Sequence, residues 1–366
     1  MSRKAGPFHI LVINPGSTST KIALYRDLEP VFDKAIRHST QDLSPFERIA
    51  DQLEFRFALI QECLDRNPDF RGEIHAVVGR GGLLSPIEGG VYEVTDAMLL
   101  DLREARYGQH ASNLGGILAH RLAQQLKVKA YIVDPVVVDE MEPVARISGI
   151  PEIRRISIFH ALNQKSVARQ AAEELGKPYA ELNLIVVHLG GGISVGVHKR
   201  GRVVDVNNAL NGEGPFSPER SGGLPAGQLV DLCFSGRFTH SQMLRKLTGA
   251  GGMVAYLGTQ DMLEVKGRIS SGDAFAAQIY DAMVYQIAKE IGSGSTVLEG
   301  DVDAIVLTGG LAQDERLIGD LKRRVQWITR ILVYPGEKEM MALARGCLSV
   351  LMGQEPPRKY EDYRKE

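Results

Sequence analysis

The 366-residue sequence is poor in cysteine. Cys63, Cys233 and Cys347 lie far apart, with no C-x-x-C pair and no metal-finger spacing. A disulfide framework and a cysteine-based zinc site are thereby excluded, and the pattern fits a reducing compartment. No stretch approaches the roughly 18 apolar residues of a membrane span. The apolar run Ile10–Ile13, behind the basic Met1-Ser2-Arg3-Lys4, is too short for a signal-peptide core. Neither sign of charge dominates: 43 Lys+Arg stand against 45 Asp+Glu, a formal net charge of −2. That balance offers no basic footprint for nucleic acid and no acidic tail. Two phosphate-binding signatures, G-x-x-x-x-G-K-[ST] and G-x-G-x-x-G, are absent. These absences predict a cytoplasmic protein with no membrane and no nucleic-acid partner, and the length predicts about two domains.

What is present alternates between strand-like and helix-like patterns, the arrangement of an α/β architecture. Apolar strands are expected at His9–Asn14, Thr20–Tyr25, Ile74–Val78, Ala130–Val133, Ile156–Phe159, Leu184–Leu189 and Ala304–Leu307. Helical spacing covers Pro45–Arg66, Thr95–Arg103, Ser112–Leu126, Ala161–Leu175, Gly272–Ile291, Asp314–Trp327 and Lys338–Met352. Residues 207–226 lack periodicity, and a long irregular segment in a compact protein is commonly functional. One internal echo stands out. Ile10–Ser17 and Leu184–Gly191 each run an apolar strand into a glycine turn that returns as a second strand. Their spacing is close to half the chain, which favours two similarly built domains facing each other across a cleft.

Several residues are placed for chemistry. In an extended second strand Ser17, Ser19 and Lys21 share one face beside a glycine turn, an arrangement that suits a polyphosphate and equally suits a solvated hairpin. Gly190, Gly191 and Gly192 would let backbone approach a ligand, and Gly309-Gly310 falls where a strand meets a helix. Arg80, Asp134 and His160 each follow an apolar strand, at the strand end where parallel sheets collect catalytic groups. Each also has a bland reading: a surface arginine, a capping aspartate, a core histidine. His110 precedes a helical stretch, and Arg220 brings a planar five-donor fork to the long loop. Glu337 and Glu339 stand at a helix start, where acids also merely complement the dipole. An Arg, His and Asp set with candidate phosphate hairpins suits phosphoryl transfer, in which positioning and charge neutralisation dominate.

The longer motifs carry a family resemblance. Ile13-Asn14-Pro15-Gly16-Ser17-Thr18-Ser19-Thr20-Lys21 resembles the opening motif of the acetate/butyrate kinases of the sugar kinase–Hsp70–actin superfamily. Val78–Leu84, Gln109–Asn113, Asp134–Glu140, Ser157–Lys165 and Gly214–Gly222 bring the likeness closer to the butyrate kinases. The resemblance implies two duplicated actin-like (ribonuclease H-like) domains with a nucleotide cleft between them. It places the first domain at 8–152, rejoined by 338–366, and the nucleotide-binding domain at 153–337. It implies ATP/ADP and Mg²⁺ as cofactors, butyrate as the short-chain carboxylate substrate, and a homo-oligomer of two or more chains. It also implies roles: Asn14, Ser17, Ser19 and Lys21 at the phosphates, with Gly190–Gly192 and Gly309–Gly310 at the nucleotide. Arg80, Arg220 and His160 would act on the carboxylate and the transferring phosphoryl group, with His110 on the substrate side. Asn14, Asp134 and Glu339 would serve the metal, Glu337 being the other candidate acid. The chain departs from acetate kinases at Gly191, where they carry Asn. It departs again at Gly81-Gly82, where they carry valines, so these glycines are expected to leave room for a longer acyl chain. Other acids of the same class, or an actin- or Hsp70-like ATPase without a carboxylate substrate, are the competing readings.

Overall fold

A computed structural model of the chain describes residues 6–67, 70 and 73–364, so the basic Met1–Lys4 lies outside the described residues. These residues form two units by their internal contacts: one up to Val138 together with the stretch from Lys338 onward, the other Asp139–Glu337.

The first unit is built on a six-stranded sheet. Its strands are β1 (His9–Pro15), β2 (Ser19–Arg26), β3 (Glu29–Arg37), β4 (Ala76–Arg80), β5 (Val91–Glu93) and β6 (Lys129–Val133), in the order β3-β2-β1-β4-β6-β5. β1 pairs antiparallel with β2 and parallel with β4, and β4 continues parallel to β6. Helices α1 (Thr40–Leu43), α2 (Leu53–Asp65), α3 (Asp96–Glu104) and α4 (Asn113–Leu126) complete it. Ile10–Ile13 and Ala76–Val78 are fully buried, as strands covered on both faces require. Helix α4 approaches β4 closely because both partners are glycine: a Cβ on Gly79 would lie 2.1 Å from the Gly115 carbonyl oxygen.

The second unit repeats the plan. Strands β7 (Asn183–Leu189), β8 (Ile193–Lys199), β9 (Arg202–Val206), β10 (Ala304–Gly309) and β11 (Ile331–Pro335) form a sheet in the order β11-β10-β7-β8-β9. β7 pairs antiparallel with β8 and parallel with β10, as β1 does with β2 and β4. Helices α5 (Ala161–Leu175), α6 (Ala226–Phe234), α7 (His240–Leu247), α8 (Met253–Leu257), α9 (Met262–Ser270), α10 (Ala274–Val297) and α11 (Glu315–Val325) surround it. Its core gathers Ile185, Val187, Met283, Ile287 and Leu307 between the sheet and α10. The chain then returns to the first unit as α12 (Glu339–Leu351), which packs on β1, β4 and β6.

Two expectations change. Residues 45–48 are not helical; a 3₁₀ turn at Ile49–Gln52 leads into α2. Ile156–Phe159 forms no strand: Phe159 is buried but Ile156 is 50% exposed, and neither sheet offers it a partner. The strand β3, which the sequence reading did not anticipate, is largely exposed, with only Phe32 and Ile36 half-buried against the core.

A buried polar chain crosses the second unit. The Tyr179 hydroxyl lies 2.7 Å from His198 Nδ1, and His198 Nε2 lies 3.1 Å from Gln164 Oε1. Burial, then the charges of Lys165 and Arg169, pulls the His198 pKa well below its ordinary value. Below about pH 6.5 the unfolded chain therefore binds a proton that the folded chain refuses, and stability falls as pH falls. The urea midpoint is expected to drop between about pH 7.5 and about pH 5.5, and His198→Gln should flatten that slope. A variant with the wild-type slope would remove His198 as a source.

Candidate functional site

In the first unit several of the candidate side chains gather at the carboxyl ends of β1 and β4 and the start of α12. Asn14 Nδ2 donates to Glu339 Oε2 at 2.7 Å. Arg80 Nη1 reaches both oxygens of the same carboxylate, at 2.7 and 2.9 Å. The structure thus brings Asn14, Arg80 and Glu339 together although 325 residues separate the first from the last. Asn14 stands directly across the hairpin from Lys21. Ser17 and Lys21 are exposed, Ser19 is half-buried and Thr20 points into the core, the alternation expected of an extended strand. The turn is closed by the Gly16 N–H donating to the Ser19 carbonyl at 2.7 Å.

His110 sits beside this group. Its Nδ1 accepts from the Ser112 N–H at 3.2 Å and lies 2.7 Å from the Ser112 hydroxyl. Desolvation of the ring, with the Arg80 charge second, lowers its pKa, which favours the neutral imidazole. Asp134 follows β6 in a left-handed conformation with φ 36°. It is 1% exposed, and its Oδ1 accepts from the Gly90 N–H at 2.7 Å. This contact binds Asp134 to the 85–90 segment, a structural use of the carboxylate that the strand-end argument did not foresee.

In the second unit the glycine turn between β7 and β8 is covered by the long loop. The Ser217 hydroxyl and the Glu219 N–H both donate to the Gly191 carbonyl, at 2.5 and 3.4 Å. The Arg220 guanidinium lies flat against Gly192, where a Cβ would fall 1.8 Å from Nη1. The close approach that this glycine permits is therefore to Arg220. Nη1 donates to the Ala209 carbonyl at 2.8 Å, while the buried Nε has no hydrogen-bond partner. Burial lowers the Arg220 pKa and Glu219 opposes that shift. Gly190 lies beside His188 and Glu337, and Gly191 beside the Glu219 side chain.

His160 precedes α5 and stacks on His188, with ring centroids 3.7 Å apart and planes 10° from parallel. Its Nδ1 lies 2.9 Å from the Ser194 hydroxyl. That hydroxyl accepts from Gln164 Nε2 at 2.8 Å, which leaves its own proton for His160. The polar chain from Tyr179 and His198 thus ends on His160, favouring the tautomer that carries its proton on Nε2. His188, which the sequence reading passed over, is buried; its Nδ1 meets Asn163 at 2.8 Å and its Nε2 meets Glu337 at 3.2 Å. The two candidate acids therefore serve different units: Glu339 pairs with Arg80, and Glu337 with His188. Gly309, at φ 93°, touches the Leu189 backbone, whereas Gly310 faces open space.

One expectation is overturned. Gly81 and Gly82 are buried and leave no free volume: a Cβ on Gly81 would meet Pro135 at 2.5 Å, and one on Gly82 would meet the Asn113 Cα and Oδ1 at 2.5 Å. They are small so that this segment can pack on α4, where Asn113 Oδ1 accepts from the Leu83 N–H at 2.8 Å.

The match to known proteins follows this geometry. Residues 149–326 match the model of the acetokinase family. An acetate kinase from Porphyromonas gingivalis superposes with a TM-score of 0.75 at 19% identity, covering 94% of this chain and 100% of that one. The chain has the acetate kinase fold. A propionate kinase from Francisella tularensis subsp. tularensis SCHU S4 gives 0.72 at 18% identity, covering 93% of this chain and 98% of that one. An acetate kinase from Entamoeba histolytica gives 0.73 at 16%, covering 92% and 98%. The fold is thus the duplicated actin-like one, and its repeat explains the echo between the two glycine hairpins.

Gly82→Val should lower stability by about 1–3 kcal/mol, the range for forcing extra atoms into a packed site. Its urea midpoint should fall without any selective effect on acyl chain length. A variant of wild-type stability with an altered ratio of butyrate to acetate turnover would contradict this packing.

Proposed function

We propose that this protein is a carboxylate kinase, transferring the γ-phosphoryl group of ATP reversibly to a short-chain acid. The observation that carries the reading is Arg220: a half-buried guanidinium whose buried Nε has no partner, held over the glycine turn by the loop, within the segment that matches the acetokinase family. A buried donor without an acceptor carries a desolvation penalty that an anion would relieve, and the planar fork matches carboxylate or phosphoryl oxygens.

A carboxylate acceptor is already ionised at neutral pH, its pKa being about 4, so no general base is needed. One of its oxygens attacks the γ-phosphorus while the bond to the β,γ-bridging oxygen breaks and that electron pair leaves with ADP. Repulsion between the two anions is the obstacle. Arg80 and Arg220 offset it as fixed positive charges, and His160 offers its Nε2–H to an equatorial oxygen. Asn14, Ser17, Ser19 and Lys21 are assigned to the phosphates, Gly190–Gly192 and Gly309–Gly310 to the nucleotide, and His110 to the substrate side.

Among the described residues no group of three or more His, Cys, Asp or Glu side chains could hold a metal. Glu339 and Asn14 do supply hard oxygen donors, the chemistry of a Mg²⁺ that keeps its waters and is carried in with nucleotide phosphates. Mg²⁺ bound there would neutralise phosphate charge. Asp134, engaged by Gly90, is assigned to support that site.

Butyrate is the proposed acid on the strength of the motifs at Val78–Leu84 and Gly214–Gly222. The competing assignment, acetate or propionate, is favoured by the acids that name the solved neighbours. A homo-oligomer is supported by exposed apolar residues such as Val144, Ile147 and Phe234, and a cytoplasmic location by three unpaired cysteines. No helix among the described residues is long and apolar enough to cross a membrane.

Trapping the acyl phosphate with hydroxylamine tests the reaction: the wild-type protein with ATP, Mg²⁺ and butyrate should yield hydroxamate, and ATP hydrolysis without it would favour a mechanical ATPase. The ratio of kcat/KM for butyrate to that for acetate assigns the acid: a ratio above one is expected, and a ratio below one would assign acetate. Arg220→Ala should lower kcat by about 10²–10³ with the fold intact, and Arg220→Lys should recover little. Activity of the lysine variant within about threefold of wild type would remove the bidentate role.

A further inference from the structure

Helix α2 carries a charge where the apolar pattern calls for none. Arg56 falls in phase with Ile49, Leu53 and Ile60 and is 1% exposed. Its Nη1 donates to the Gly16 carbonyl at 2.9 Å, the Ser19 carbonyl at 3.1 Å and the Thr20 hydroxyl at 3.0 Å. Nη2 donates to the Ser17 carbonyl at 3.3 Å, and Gln52 Oε1 receives both Nε and Nη2, at 3.0 and 2.8 Å. Every one of these acceptors is neutral. Burial lowers the Arg56 pKa to about 10, and no acidic side chain offsets it. The Thr20 hydroxyl, having accepted from Arg56, lies 2.9 Å from His38 Nε2. Burial, with the Arg56 charge second, holds the His38 pKa down, so that His38 remains an acceptor.

A buried, unneutralised guanidinium is costly, and a fold that only needed a closed turn would be served by a neutral donor. Its position shows what the charge accomplishes. A trans peptide sets its N–H opposite its carbonyl. With the Gly16 and Ser17 carbonyls drawn back to Arg56, the N–H groups of Ser17 and Thr18 face the other way, toward the side on which both residues are exposed. The turn thus presents donors outward and is backed by a full positive charge.

We infer that Arg56 is the positioning residue of a polyphosphate site at the β1–β2 turn, with the bound polyphosphate as its missing counter-charge. This rests on the kinase reading for the identity of the nucleotide, though not for the anion. Arg56 touches no substrate; it acts by orienting the turn and by its field.

The test is a titration of the full chain with ADP, inorganic tripolyphosphate and adenosine. Arg56→Gln should weaken ADP and tripolyphosphate binding by about 10–100-fold, the range for a lost charged interaction, and leave adenosine within about threefold. Arg56→Lys keeps the charge without the fork, and should recover part of the tripolyphosphate affinity, more so at low salt. Equal weakening of all three ligands, or unchanged tripolyphosphate affinity, would overturn the inference. Should the Arg56 variants not fold, Gln52→Met loosens the guanidinium from its side-chain partner and should weaken tripolyphosphate but not adenosine; no change would overturn it equally. A wild-type protein that makes no acyl phosphate yet binds tripolyphosphate through Arg56 would sink the kinase reading and uphold this one. Acyl phosphate formation with an unchanged KM for ATP in Arg56→Gln would do the reverse.

Discussion

β1 and β7 are each paired parallel on one side and antiparallel on the other, and each is buried on both faces. That double pairing is the constraint from which the functional geometry follows. The parallel neighbour, β4 or β10, ends level with the central strand, so groups such as Asn14 and Arg80, or His188 and Thr308, emerge at a common edge. The antiparallel neighbour must return through a tight turn at the same edge, which places a glycine hairpin beside those groups in each unit. A strand slipped by one residue would turn the half-buried Ser19 and the exposed Lys21 inward and the buried Thr20 outward.

Buried polar groups then refine what the sheets position. In the first unit Arg56 draws turn carbonyls inward, and the Glu339 carboxylate joins Asn14 to Arg80. In the second, Tyr179, His198, Gln164 and Ser194 form a line of hydrogen bonds ending on His160. Such networks are expensive when incomplete and rigid when satisfied. Lys165 and Glu140 illustrate the satisfied case: both buried, they pair at 2.9 Å, and Glu140 also accepts from the Val203 N–H at 2.7 Å. Arg220 Nε and Arg56 are less fully satisfied, one lacking an acceptor and the other a counter-charge. Both lie against glycine turns.

Glycine has two separate uses here. At Gly79, Gly82 and Gly115 the missing side chain lets α4 lie against β4 and its following segment. At Gly192 it admits the Arg220 guanidinium, whereas Gly310 borders open space. Smallness beside a candidate arginine is therefore not in itself room for a ligand, and Gly81-Gly82 are packed rather than acyl space.

The sequence by itself determined the α/β class, the buried central strands, the two glycine hairpins and the face shared by Ser19 and Lys21, because each follows from local periodicity or from the backbone freedom of glycine. Tertiary structure alone decided that Glu339 meets Asn14 and Arg80 while Glu337 meets His188, since two residues at a helix start can diverge into different units. It alone showed Asp134 held by Gly90, Gly82 pressed on Asn113, and the largely exposed β3 completing a sheet edge. Partners 259 or 325 residues apart are joined only when the chain returns as α12, and no local pattern encodes a long-range contact of that kind.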